Sequence, residues 1–278
     1  MFKEIGGFMS SSSMLAVNIG NTVTKIGLYY DDSLIAKWIV TTPLTITVSE
    51  VETILMNFAA SLKRNKEVAR LSIPLEQLSP KGSIIASVSP LITDAWISVL
   101  AHECARKPLV VGPGLKTGIK LGYSDPSELG ADRIAEMIGA RDLFGFPLVV
   151  INLEATTTFE VIDDKGNFVG GIIAPGLESS AKSLSATAAK IPVIELQAPK
   201  KVIGKSTRQA VQAGVVLGEV ARIDGLVCSI WKELGYKTKV VSAGADAKVI
   251  QALSQTIDQS ADNLALHGLK LLYDRNTK

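Results

Sequence analysis

Two stretches of this chain, LAVNIGNTVTKIGLYYDDSLIAKWIV from Leu15 and LVVINLEATTTFEVIDDKGNFVGGII from Leu148, repeat one pattern. Each runs an apolar strand to an asparagine, turns through a threonine-containing loop, and returns on alternating residues to a second turn and a third strand. A chain that opens twice with the same three-stranded meander is restricted to a duplicated fold. The strands are expected at 15–21, 23–30 and 34–40, and again at 148–153, 156–163 and 167–174. Tyr30-Asp31-Asp32-Ser33 and Asp164-Lys165-Gly166 supply turns. Between the repeats, helix-period apolar residues at 49–64 (Val51, Ile54, Leu55, Phe58, Leu62) lead to a strand at 83–88, a helix at 91–106, a short strand at Leu109-Val110-Val111 and a helix at 128–144. That order predicts an α/β protein of two similar βββαβα domains, 14–145 and 146–278, facing each other across a cleft, after a serine-rich flexible tail at 1–13.

Charge and composition remove several classes of function. The 29 Lys and Arg nearly balance 27 Asp and Glu, with no run of either sign, so no nucleic-acid or anionic-membrane partner is expected. No signal peptide and no apolar run of about 18 residues is present, which predicts a cytoplasmic protein. Cys104 and Cys228 lack metal-ligand spacing and are expected as small core hydrophobes. His102 and His267 have no partner pattern, and Trp38, Trp96 and Trp231 read as packing or dimer-contact residues.

The repeated turns carry the chemistry. Backbone amides in a strand-end turn form an anion nest, and threonine hydroxyls add donors, so Gly20-Asn21-Thr22 and Thr156-Thr157-Thr158 are candidate phosphate sites. Two ordinary hairpins explain the same residues equally well at this stage. Gly204-Lys205-Ser206 imitates the end of a Walker A loop, but the first glycine of that motif would fall on Pro199 and no strand leads in. The segment 204–232 reads instead as a helix capped near Ser206 or Thr207.

Seven ordered segments, GNTVTKIG (20–27), IIASVSP (84–90), GPGLKTGI (112–119), ELGADR (128–133), GGIIAPGL (170–177), AKIP (189–192) and VIGKSTRQAVQAG (202–214), resemble the type III pantothenate kinases. The resemblance implies duplicated actin-like (ribonuclease H-like) domains and a homodimer. It also implies transfer of the ATP γ-phosphate to pantothenate, with Mg²⁺ and a monovalent cation (K⁺ or NH₄⁺). On the matching positions, Asp132 is the general base, and a primary hydroxyl attacking phosphorus needs such an acceptor. Arg133 would hold the pantothenate carboxylate, with Tyr123, Gly130 and Thr187 as further substrate contacts. Asn18, Gly20, Asn21, Thr22 and Lys25 form the first phosphate loop, Thr156 and Thr157 the second, and Ser242 and Gly244 a third nucleotide segment. Asn152 and Glu154 fall at the metal position.

The chain departs from the family where charge matters most. Both loop positions that carry aspartate in the family are asparagine here, Asn18 and Asn152; Ser242-Ala243-Gly244 replaces Thr-Gly-Gly, and Ala188 replaces a threonine. Glu154, two residues after Asn152, either restores the missing carboxylate at a metal or repels phosphate from a position where glycine is usual. Three functions remain open on the sequence: a pantothenate kinase, a catalytically impaired paralogue that binds a small ligand as a regulator or partner subunit, and a kinase retuned to another substrate.

Overall fold

In the computed structural model, which describes residues 13–71, 73–104, 106–187 and 197–277, the two repeats form two five-stranded sheets of identical order. The first contains β1 (Ser13–Ile19), β2 (Val23–Tyr30), β3 (Ser33–Thr41), β4 (Gly82–Ser87) and β5 (Leu109–Val110) in the order β3-β2-β1-β4-β5. The second contains β6 (Leu148–Leu153), β7 (Thr156–Ile162), β8 (Phe168–Pro175), β9 (Lys239–Ala243) and β10 (Gln259–Ser260) in the order β10-β9-β6-β7-β8. In each, an antiparallel meander is extended by two parallel strands beside its first strand. The helices are α1 (Val48–Leu62), α2 (Lys66–Arg70), α3 (Pro90–Glu103), α4 (Ala131–Phe144), α5 (Leu177–Thr187), α6 (Thr207–Gln212), α7 (Gly218–Leu234), α8 (Ala247–Gln251) and α9 (Leu264–Thr277). One π-helical turn, Ala213–Leu217, joins α6 to α7.

Alternation within the central strands sets what each face meets. Leu15, Val17 and Ile19 of β1 share one apolar cluster with Val51, Leu55 and Phe58 of α1 and Ile92, Trp96 and Val99 of α3. Val149, Ile151 and Leu153 of β6 share another with Val220, Ile223 and Val227 of α7 and Ile250 of α8. The helix after β10 groups with the first sheet, and most of the helix after β5 groups with the second. The compact units comprise residues 1–116, 130–135 and 265–278 in one case, and 117–129 and 136–264 in the other. The last helix, α9, thus packs in the first unit, although the repeat pattern groups it with the second half. Leu266 lies against Gly27, Lys270 Nζ donates to Asp32 Oδ1 at 2.8 Å and Asp274 Oδ2 at 2.5 Å, and Asn276 exchanges hydrogen bonds with the Lys116 backbone.

Several local readings change. Ser13, expected in the tail, is a buried residue of β1, and β1 ends at Ile19, so Gly20 and Asn21 belong to the turn. Cys104 is buried, but Cys228 is exposed because position 228 lies off the α7 stripe made by Val220, Ile223, Val227 and Ile230. Trp96 is a core residue and Trp38 packs 5.6 Å from Phe58. Among the described residues no helix is long and apolar enough to cross a membrane.

The loop after α8 hangs on one carboxylate. Asp224 accepts from Ser254 Oγ at 2.6 Å, Thr256 Oγ1 at 2.7 Å, Thr256 N at 3.1 Å and Gln255 N. Partial burial raises its pKa, but those bonds together outweigh burial and hold it below the ordinary range. A carboxylate with a depressed folded pKa stabilises the fold above its unfolded value, about 3.9, and that contribution disappears as pH falls through the folded value. Asp224→Ala should therefore lower stability by about 1–2 kcal/mol at pH 7, after solvent screening, with the deficit shrinking below about pH 4 in urea titrations.

Candidate functional site

In the first unit the turn 20–22 stands at the carboxyl end of β1, where open α/β sheets bind ligands. Gly20 N donates to Val23 O at 3.0 Å, which closes the turn and leaves Asn21 and Thr22 exposed at its tip. Asn18 pairs in register with Lys25 on β2 and Ala86 on β4. It is 7% exposed, and its Oδ1 is buried without a hydrogen-bond donor. That orphaned acceptor sits at the position where the resemblance implies an aspartate. Asp132 occupies the first turn of α4, where the helix dipole favours the ionised carboxylate. Its Oδ1 accepts from Arg133 N at 2.8 Å, and a Cβ on Gly130 would lie 2.6 Å from that oxygen, so any other residue at 130 would displace the acid. Arg133 is 8% exposed.

In the second unit Asn152 is the equivalent of Asn18, one residue before the end of the central strand, paired with Thr158 on β7 and Ala243 on β9. Its Nδ2 donates to Glu136 Oε2 at 2.6 Å. Glu136, on α4, is 5% exposed. Glu154 lies in the β6–β7 turn, and its backbone N donates to Thr156 O at 3.2 Å. Burial foremost, then the charges of Glu178 and Glu154, push the Asp246 carboxyl upward, so Glu154 faces an acidic neighbourhood. Gly244, at φ +101°, brings the loop after β9 against the end of β6, where a Cβ would be 2.4 Å from Leu153 O. Ser242, just before it, is fully buried.

Two expected contacts are committed elsewhere. Thr157 is 0% exposed and donates to Glu219 Oε1 at 2.5 Å, so its hydroxyl serves the interior beneath the turn while Thr156 is exposed. Glu219 is held by Arg222, which also donates to Pro175 O at 2.6 Å, and burial raises its pKa against the opposing effects of Thr157 and Arg222. Thr187, exposed at the end of α5, donates to Ser183 O at 2.8 Å within its own helix. Tyr123 lies 5.1 Å, ring to ring, from Phe168, in a segment tied to β8 by Gly122 N to Phe168 O at 2.8 Å. Ser206 caps α6 by accepting from Gln209 N, which completes the case against a Walker A loop. Ala188 and the segment 189–192 lie outside the described residues.

Both sheets have the same order, with polar turns at the carboxyl ends of their central strands, as the duplicated actin-like fold requires. A sequence profile of the type III pantothenate kinases matches residues 14–229. The chain is 34% identical over 264 residues to the type III pantothenate kinase of Moorella thermoacetica, covering 95% of this chain and 100% of that one. It is 37% identical over 263 residues to that of Anaeromyxobacter sp. (strain K), covering 95% and 99%. A solved structure from Campylobacter jejuni, assigned to the Baf family of transcriptional activators, superposes with a TM-score of 0.58 at 15% identity over 94% of this chain and 98% of that one, a likeness of fold alone. The chain belongs to the type III pantothenate kinase family, and membership implies ATP as the phosphoryl donor.

Glu136 is absent from the residues that motif and spacing single out. Its signal in the sequence is an acid inside Ile134-Ala135-Glu136-Met137-Ile138, a helical stretch otherwise apolar. A buried acid there needs a partner, and Asn152 is one.

Two substitutions separate structure from ligand contact. Thr157→Val should destabilise the fold by about 1–3 kcal/mol in denaturant titrations, by leaving Glu219 short of a donor, while shifting the KM for ATP less than twofold. Asn18→Ala removes an acceptor that is buried without a partner, so stability should hold or rise by up to about 1 kcal/mol while the KM for ATP increases.

Proposed function

We propose that the chain is a working type III pantothenate kinase, phosphorylating the primary hydroxyl of pantothenate from ATP, and acts as a homodimer. The observation that carries this reading is Glu136 against Asn152: the carboxylate absent from the end of β6 is present on the neighbouring helix, 2.6 Å from the asparagine that replaced it. The loss of aspartate at 152 is then no sign of a silenced enzyme.

In this reading Asp132 accepts the hydroxyl proton as the oxygen attacks the γ-phosphorus, and its tie to Arg133 N holds one carboxylate oxygen in place. The Arg133 guanidinium pairs with the pantothenate carboxylate, whose planar geometry it matches. Exposed Asn21 and Thr22, with Lys25 as a point charge, bind phosphate oxygens at the first turn, and exposed Thr156 does so at the second. Bound Mg²⁺ supplies neutralisation of the phosphate charge, and K⁺ or NH₄⁺ completes the requirement. Among the described residues no group of three or more His, Cys, Asp or Glu side chains forms a ready metal shell. A nucleotide-borne Mg²⁺ needs no such shell, since it keeps several waters and takes one or two protein oxygens beside the phosphates.

Purified protein with ATP, pantothenate, Mg²⁺ and K⁺ should yield 4'-phosphopantothenate and ADP, followed by mass spectrometry and a coupled assay. Asp132→Asn should lower kcat by about 10²–10⁴ with little change in either KM, and Arg133→Ala should chiefly raise the KM for pantothenate. No product above background at high enzyme concentration would overturn the reading.

A further inference from the structure

An ionised carboxylate oxygen only accepts hydrogen bonds, so the side-chain atom of residue 152 that meets Glu136 Oε2 at 2.6 Å must carry a hydrogen. Asparagine meets that demand with Nδ2. The bond also fixes the flip of the amide, turning Oδ1 away from Glu136. An aspartate at 152 would set a second carboxylate against Glu136, 5% exposed, with Glu160, 1% exposed on β7 and bonded to Thr158 Oγ1 opposite residue 152, close by, and one of the acids would have to hold a proton. Glutamate at 136 and asparagine at 152 are thus a matched pair, each explaining the other. Glu154 lies in the turn beyond the strand.

We propose that Glu136 is a positioning residue of the phosphoryl-transfer site: it orients the Asn152 carboxamide and supplies, from the helix, a carboxylate at the end of β6 toward a nucleotide-bound Mg²⁺. This rests on the kinase reading for its ligand, but its chemistry is a property of the pair. Position 18 has no such arrangement, since its Oδ1 is buried without a donor. The two repeats therefore differ, with the charge kept only in the second.

The test is a cycle of Glu136→Gln, Asn152→Asp and the double variant, read in two ways that need no turnover. The first is melting of the ligand-free protein against pH. Asn152→Asp should melt several degrees below wild type at pH 7, with the gap closing below about pH 5, where the pair can share a proton. The double variant, with one carboxylate again, should melt near wild type. The second is calorimetric titration with Mg·AMPPNP. Glu136→Gln keeps size and can still accept from Asn152, so it should fold, yet bind Mg·AMPPNP on the order of tenfold or more weakly, as outer-shell losses do. The double variant should recover to within about threefold of wild type.

Wild-type stability for Asn152→Asp at pH 7, unchanged Mg·AMPPNP affinity in Glu136→Gln, or a double variant binding no better than Glu136→Gln would each overturn the proposal. If Glu136→Gln does not fold, the double variant alone decides, because only a relocated charge restores both melting and binding. A wild type that binds Mg·AMPPNP but makes no phosphopantothenate would overturn the kinase reading and leave this inference intact; product formation with an indifferent pair would do the reverse.

Discussion

Between the end of β6 and the second turn of α4 a buried acid, Glu136, is bonded to Asn152, with a second buried acid, Glu160, held by Thr158 on the neighbouring strand. Two ionised carboxylates about 4 Å apart repel by about 4 kcal/mol at an effective dielectric of 20, comparable to a large part of a domain's net stability. With Glu136 Oε2 accepting, residue 152 is the donor, and asparagine is the smallest change from aspartate that provides one. A deficit of about 3 kcal/mol in the transition state would slow turnover on the order of a hundredfold, so moving the carboxylate rather than losing it separates a working enzyme from a silent one.

The duplicated architecture makes that comparison possible. Sheet orders β3-β2-β1-β4-β5 and β8-β7-β6-β9-β10 superimpose Asn18 on Asn152, each one residue short of the end of a central strand and each paired with a meander strand on one side and a parallel strand on the other. The same asparagine therefore has two meanings. At 152 the amide is a donor to a buried acid; at 18 it presents an acceptor with no donor, opposite Lys25.

Much of this was legible in the sequence, for identifiable reasons. Period-two apolar runs ending in polar turns placed all six meander strands to within a few residues, because their register is set locally. The last part of the chain was not legible: β9, β10, α8 and α9 are short or weakly patterned, and α9 belongs with the first unit through Lys270, Leu266 and Asn276, contacts across more than 150 residues that no local pattern records. The site divided the same way. Gly130, Asp132 and the turn residues stand out by motif, whereas the commitment of Thr157 to Glu219 and the pairing of Glu136 with Asn152 depend on which helix covers which face of a sheet. For Glu154 the sequence left two roles open, a carboxylate at a metal or a charge repelling phosphate, and the structure places it in the β6–β7 turn.

The most direct measurement is a crystal structure with Mg²⁺, a non-hydrolysable ATP analogue and pantothenate. The account predicts Asn152 Nδ2 still bonded to the Glu136 carboxylate, that carboxylate facing the metal's water shell, and Glu154 turned away from it. Glu154 bound to the metal, with Glu136 swung out of reach of Asn152, would contradict it.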